Sequence, residues 1–116
     1  MRRFEDLDVW KRSSRLCVSI YKELACCKDY GFKDQITRCS LSIPSNIAEG
    51  YGRRSTGDYV RFLQIFVGSL YELQTQLEIA KKLEYLTEFE FNGLYENTRE
   101  IERMLLSLVS KIRSGS

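Results

Sequence analysis

The sequence predicts an all-α fold, an antiparallel up-down-up-down bundle of four helices whose second helix is kinked by a proline. Three observations carry that expectation. Apolar residues recur at three- and four-residue steps in four successive stretches, the period of helices that each bury one face. The connections between these stretches are short, which sets neighbouring helices antiparallel. Seven glycines and one proline among 116 residues, without regularly spaced turn clusters, are too few for an all-β chain. The chain is expected to form one domain over 1–116, small enough that surface buried in an oligomer would stabilise it further.

The first helix is expected over 6–27, with Glu5, Asp6 and Asp8 at the positive end of its dipole and Leu7, Trp10, Cys17, Ile20, Tyr21 and Leu24 as its buried stripe. Gly31 is read as the left-handed residue of the turn that follows, with Asp34 in the next helix's first turn. The second helix is expected over 32–51. Ile36, Cys39, Ile43 and Ile47 keep helical spacing, yet Pro44 lies among them, removing a backbone donor and crowding the preceding turn. Ser42, Ser45 and Asn46 are placed to compensate. Small side chains at 40, 42, 45 and 48 would admit a close helix before Gly50 and Gly52 end the run.

Ser55 followed by Asp58 resembles a capping box and starts the third helix, expected over 56–84. Tyr59, Phe62, Leu63, Phe66, Leu70, Leu73, Leu77 and Ala80 form its stripe, while Val67, Tyr71 and Ile79 lie off it. Apolar residues beyond one face suggest contact with another subunit, and Gly68 beside Ser69 suggests a close helix crossing. Thr87 and Glu90 make a full capping box for the fourth helix, expected over 88–113. There Leu94, Thr98, Ile101, Leu105, Leu108 and Ile112 alternate four- and three-residue steps, the seam of nearly antiparallel helices.

Composition excludes several chemistries. With no histidine, the Glu-x-x-His pairs of two-metal bundles cannot be built, and Ser40, Ser42 or Ser45 would have no imidazole base. Those serines are expected to bond to the backbone. Glu49 has no second carboxylate arranged to work with it. Cys17, Cys26, Cys27 and Cys39 include no C-x-x-C pair and read as free thiols, at least one of the adjacent two exposed. Gly50, Gly52 and Gly57 fit no phosphate-binding loop. No catalytic residue, cofactor or metal is expected. The apolar windows are too short to span a membrane and the N-terminus has no apolar signal region, so a cytoplasmic protein is expected.

Charge leaves one lead. Net charge is only +2, but residues 1–57 hold 11 Lys and Arg against 7 Asp and Glu, while residues 58–116 hold 7 against 9. Arg53, Arg54 and Arg61 are the candidate nucleic-acid-binding residues, with Arg2, Arg3, Lys11, Arg12 and Arg15 as extensions of the rim. Tyr51 and Tyr59 are candidate stacking platforms for unpaired bases. Local ion pairs with Asp8, Glu49 and Asp58 are the plainer reading of the same arginines.

Three ordered blocks carry a resemblance. The most specific is SIPSNIAEGYGR, which contains Ser42, Ile43, Pro44, Ser45, Asn46, Ile47, Ala48, Glu49 and Gly50 and is preceded by Gly31, Phe32, Gln35 and Arg38. FEDLDVWKRS, around Leu7, Val9 and Trp10, is the second, and YVRFLQIFVGSLYELQTQLEIAKKLEYL, with Phe62, Leu63, Gly68, Ser69, Leu70 and Glu72, the third. Over nearly its full length the chain resembles the small bacterial four-helix-bundle proteins encoded within intervening sequences of 23S ribosomal RNA. The resemblance implies a bundle that assembles into a homopentameric ring. A distant branch of similar architecture serves retroelement reverse transcriptases as an accessory; this chain is more similar to the intervening-sequence branch, for which the resemblance implies no biochemical activity. Phe66 stands where that family usually has a small residue, and Gln74 where it commonly has Glu.

The functional expectation is a non-enzymatic homo-oligomer associated with RNA or DNA, or serving as a scaffold. The alternative is a protein-protein adaptor that binds no nucleic acid.

Overall fold

The computed structural model describes residues 3–52 and 55–115. Four helices follow one 3-10 turn at Phe4–Asp6: α1 at Asp8–Glu23, α2 at Tyr30–Tyr51, α3 at Thr56–Lys82 and α4 at Glu88–Gly115. Each helix packs on two others: α1 on α2 and α4, α3 on α2 and α4. Among the described residues the diagonal pairs do not approach, and none forms a strand. This is the antiparallel four-helix bundle predicted, 46 Å long and about 20 Å across.

Each start and stop has a local cause. The Arg3 N–H is held by the Asp6 carboxylate at 3.0 Å, so the chain makes a 3-10 turn first and α1 begins two residues later than expected. α1 stops at Glu23, well before 27, because the Ala25 and Cys27 N–H groups bond three residues back, to Lys22 and Leu24. Gly31 corrects the expected turn: no described glycine takes a positive φ, and Gly31 lies inside α2. The start is set by Asp29, whose carboxylate accepts the Phe32 N–H at 3.1 Å. That moves α2 forward to Tyr30 and leaves Asp34 beyond its first turn.

Ser55 accepts the Asp58 N–H at 3.1 Å and caps α3. At α4 the full capping box is present, Thr87 Oγ1 accepting from the Glu90 N–H at 3.0 Å and Glu90 Oε1 from the Thr87 N–H at 2.9 Å. Pro44 lies inside α2, which continues to Tyr51. Around it Ser40 donates to the Thr37 carbonyl at 2.8 Å and Ser42 to that of Cys39 at 2.7 Å, so these serines bond to backbone as expected.

One core joins all four helices, with Ile20, Ile36, Ile47, Leu63, Leu70, Leu73, Leu77, Ile101 and Leu105 fully buried. In α1 the buried arc is Val9, Ser13, Leu16, Cys17 and Ile20; Tyr21, expected in it, is 44% exposed because the arc turns toward α4 as well as α2. Val67, placed off the α3 stripe, is buried. Phe66 is buried too, edge-on to Phe62 at 5.4 Å, so this large side chain fills the core of its own chain.

The two glycines singled out behave differently. A Cβ on Gly50 would meet Phe62 Cβ at 3.2 Å, so this is where α2 and α3 approach closely. A Cβ on Gly68 would meet nothing within 4 Å. The close crossing expected there is absent within the chain, because Gly68 lies on the exposed face of α3.

Candidate functional site

Of the three candidate nucleic-acid-binding residues, the described structure places one, Arg61. Arg53 and Arg54 lie outside the described residues. Arg61 is exposed on α3, but its guanidinium is engaged by Asp58 one turn earlier, at 3.2 Å. Arg12 donates to Asn97 Oδ1 at 3.2 Å, tying α1 to α4. Arg38 pairs with Asp34, and Arg103 with Glu96 and Glu100. Tyr59 is no open platform: its ring is half-buried, edge-on to Tyr51 at 6.1 Å, and burial pushes its phenol above the usual tyrosine range.

Exposed cations with no ion-pair partner among the described residues include Lys28, Lys82 and Lys111 as well as a row on α1. Lys11, Arg15 and Lys22 recur at four- and seven-residue steps, which puts them along one side of the helix. The family-like block packs beside this row. It builds a wall.

That wall is a groove between α1 and α2, about 390 Å³, reached from outside the bundle. Phe4, Trp10, Cys17 and Val18 line it from the N-terminal side; Leu41, Pro44, Ser45 and Ala48 line it from α2. The α2 residues recur at helical spacing, so one face of the SIPSNIAEG block looks outward while Ile43, Ile47 and Gly50 are buried. Small side chains at 45 and 48, expected to admit a helix, leave the groove open. Apolar Val18 and Leu41 at its rim stay 52% and 49% exposed. Trp10 is fixed there by Phe4, edge-on at 5.3 Å. Sequence reasoning gave Pro44, Ser45 and Ala48 as part of a motif but not the groove, since the apposition of α1 residues leaves no local pattern.

A polar cluster between α3 and α4 was also missed. Gln74 is buried and donates to Thr98 Oγ1 at 3.2 Å and to Glu102 Oε1 at 3.3 Å. Glu102 Oε2 accepts from the Tyr71 hydroxyl at 3.2 Å, a bond that raises the Tyr71 pKa, and Arg99 lies 3.8 Å from Oε1. Gln74 can donate to Glu102 where a carboxylate would be repelled, which is the structural effect of the Glu-to-Gln departure. All four cysteines are free: Cys17 and Cys39 are buried, Cys26 is exposed and Cys27 half-buried. Burial, with Glu72 nearby, pushes the Cys39 thiol up to about 11. No group of three or more potential metal ligands occurs among the described residues, and no helix is long and apolar enough to cross a membrane.

The pattern of a family described as "23S rRNA-intervening sequence protein" matches residues 5–107. Among solved structures, the chain is similar to a protein of unknown function from the S23 ribosomal protein family of Bacteroides thetaiotaomicron VPI-5482. The two are 28% identical, with a TM-score of 0.81 over 87% of this chain and 97% of that one. No curated protein matches the chain.

Proposed function

We propose, since this chain belongs to the 23S rRNA-intervening sequence protein family, that it acts as a non-catalytic scaffold whose bundles assemble with one another. The observation that carries this reading is the α1–α2 groove, whose rim leaves Val18 and Leu41 about half exposed and whose α2 wall is the family-like block. Apolar surface of this kind is stabilised by a covering partner. A ring of five, implied by the family resemblance, is the expected assembly.

Nucleic-acid association is the second reading, favoured by the unpaired row Lys11, Arg15 and Lys22. Ring formation would repeat such a row around the assembly and convert weak phosphate contacts into avid ones. The test is the absolute mass by light scattering of nuclease-treated and untreated protein, with absorbance at 260 and 280 nm. The scaffold reading expects a multiple of the single-chain mass in both samples; a single-chain mass overturns it. Ultraviolet-absorbing cargo lost on nuclease treatment supports the second reading, and Arg53→Glu with Arg54→Glu should then abolish retention without changing the mass. Assembly without cargo favours a protein-protein adaptor.

A further inference from the structure

Cys26 and Cys27 are neighbours in the sequence, and they stand where the helices leave the backbone free. α1 has ended at Glu23 and α2 starts at Tyr30, so neither thiol is held in a helix. Both are free thiols, Cys26 exposed and Cys27 half-buried against the core. Neighbouring Cα atoms lie about 3.8 Å apart, closer than the roughly 4.4–6.8 Å that a disulfide usually spans. A bond between adjacent cysteines therefore closes only if the backbone joining them twists. A helix resists that twist, whereas a turn outside one can yield.

The twist would not stay local. The Cys27 N–H bonds to the Leu24 carbonyl at 3.0 Å, and its thiol points to the Asp29 carbonyl at 4.0 Å. Asp29 caps α2 through the Phe32 N–H, and its other carboxylate oxygen accepts the Tyr85 hydroxyl at 2.7 Å. Phe32 itself packs edge-on to Tyr85 at 5.4 Å. Cys27 thus belongs to the turn that ties the start of α2 to the segment after α3. The other two thiols are shielded from a dissolved oxidant, since Cys17 and Cys39 are both buried.

We propose that Cys26 and Cys27 form a redox modification site, closed to a disulfide by a small disulfide such as oxidised glutathione, and that closure loosens the Asp29 turn. Exposed Cys26 reacts first. Its thiolate attacks the small disulfide, whose S–S bond breaks and releases one small thiol, leaving a mixed disulfide on Cys26. The Cys27 sulfur, giving up its proton, then attacks the Cys26 sulfur and expels the second small thiol. Two protein thiols are oxidised by two electrons, one small disulfide is reduced to two thiols, and the two protons leave on them. A strained, exposed disulfide is easily reduced, so the site reopens when small thiols return. This goes beyond the scaffold reading and does not depend on assembly.

The test treats native full-length protein with oxidised glutathione, alkylates the remaining thiols after unfolding, and reads intact mass without reduction. The expected product is a single chain short of two hydrogens, with alkyl groups on Cys17 and Cys39 only and the new bond mapped to the peptide that holds Cys26 and Cys27. Dithiothreitol should return it to the starting mass. Cys27→Ser, which removes the second step, should stop with glutathione held on Cys26. A wild-type chain that also keeps glutathione, becomes cross-linked to a second chain or stays fully reduced overturns the site. Hydrogen exchange at the Phe32 amide, whose acceptor is Asp29, reads the turn. It should quicken severalfold in the oxidised chain while exchange in the core of α3 stays as it was. Unchanged exchange at Phe32 in a chain that has closed the bond overturns the loosening.

Discussion

Glu84 shows how much a single residue can carry without advertising it. At φ 63° it is the one non-glycine residue with positive φ among those described, and it ends α3. The Tyr85 N–H bonds to the Ala80 carbonyl at 2.9 Å and the Glu84 N–H to that of Lys81 at 3.0 Å, the two crossed bonds of a Schellman end. Glycine usually fills this position because a Cβ there crowds the backbone by about 1–2 kcal/mol. Glu84→Gly should therefore raise stability, by about 0.5–1 kcal/mol once the added freedom of the unfolded chain is subtracted. A higher urea midpoint at unchanged slope would register it. A lower midpoint would mean that the Glu84 side chain contributes more than its backbone costs. The sequence reading had no access to this turn, since nothing about a glutamate between Leu83 and Tyr85 signals left-handed geometry.

At the scale of helices, the close approach of α2 to α3 at Gly50 is sensitive to substitution. Gly50 faces Phe62 Cβ, an atom next to the α3 backbone that cannot swing aside. Gly50→Val should push the two helices apart and cost about 1–3 kcal/mol, measurable by chemical denaturation; an unchanged midpoint would show that α3 yields freely. The helices themselves were legible in the sequence because their apolar steps and side-chain caps are local. Ser55 and the Thr87–Glu90 box marked the starts of α3 and α4 at the residues observed. The end of α1 was not legible, because it depends on three-residue-back bonds at Ala25 and Cys27 and on Asp29, while the prominent Gly31 drew attention to the wrong residue. The candidate site was less legible still. Arg61 could be found by charge, but its pairing with Asp58 and the joining of α1 and α2 into a groove arise only when elements pack.

Across the whole molecule, the bundle is fastened at one end by a bond between its two end turns. The Tyr85 hydroxyl, after α3, donates to Asp29 Oδ2, before α2, at 2.7 Å. That bond, with the Phe32 N–H, holds the Asp29 carboxyl below its usual range; the Thr87 N–H does the same chiefly for Glu90, and Arg103 for Glu100. For groups depressed by folding, the unfolded chain binds protons first, so their stabilisation is present above the ordinary carboxylate range and is lost as pH falls through it. Glu23 runs the other way. Its bond with Glu90 raises its pKa, so protonation there favours the folded state as pH falls. Three depressed groups against one raised group predict a net loss of thermal stability on acidification below about pH 4. Asp29→Ala should lower the melting temperature at neutral pH and flatten the acid limb; an acid limb of unchanged steepness would place the sensitive groups elsewhere.

The graded burial of the four thiols has a practical corollary. Cys17 and Cys39 are sealed in the core and Cys39 resists ionisation, whereas Cys26 stands in the open just past α1. In a Cys27→Ser chain, a thiol-reactive dye applied briefly would attach at that one place on each polypeptide. If copies assemble, each would then carry its own lamp, and the membership of a single particle could be read by watching the lamps go dark one at a time.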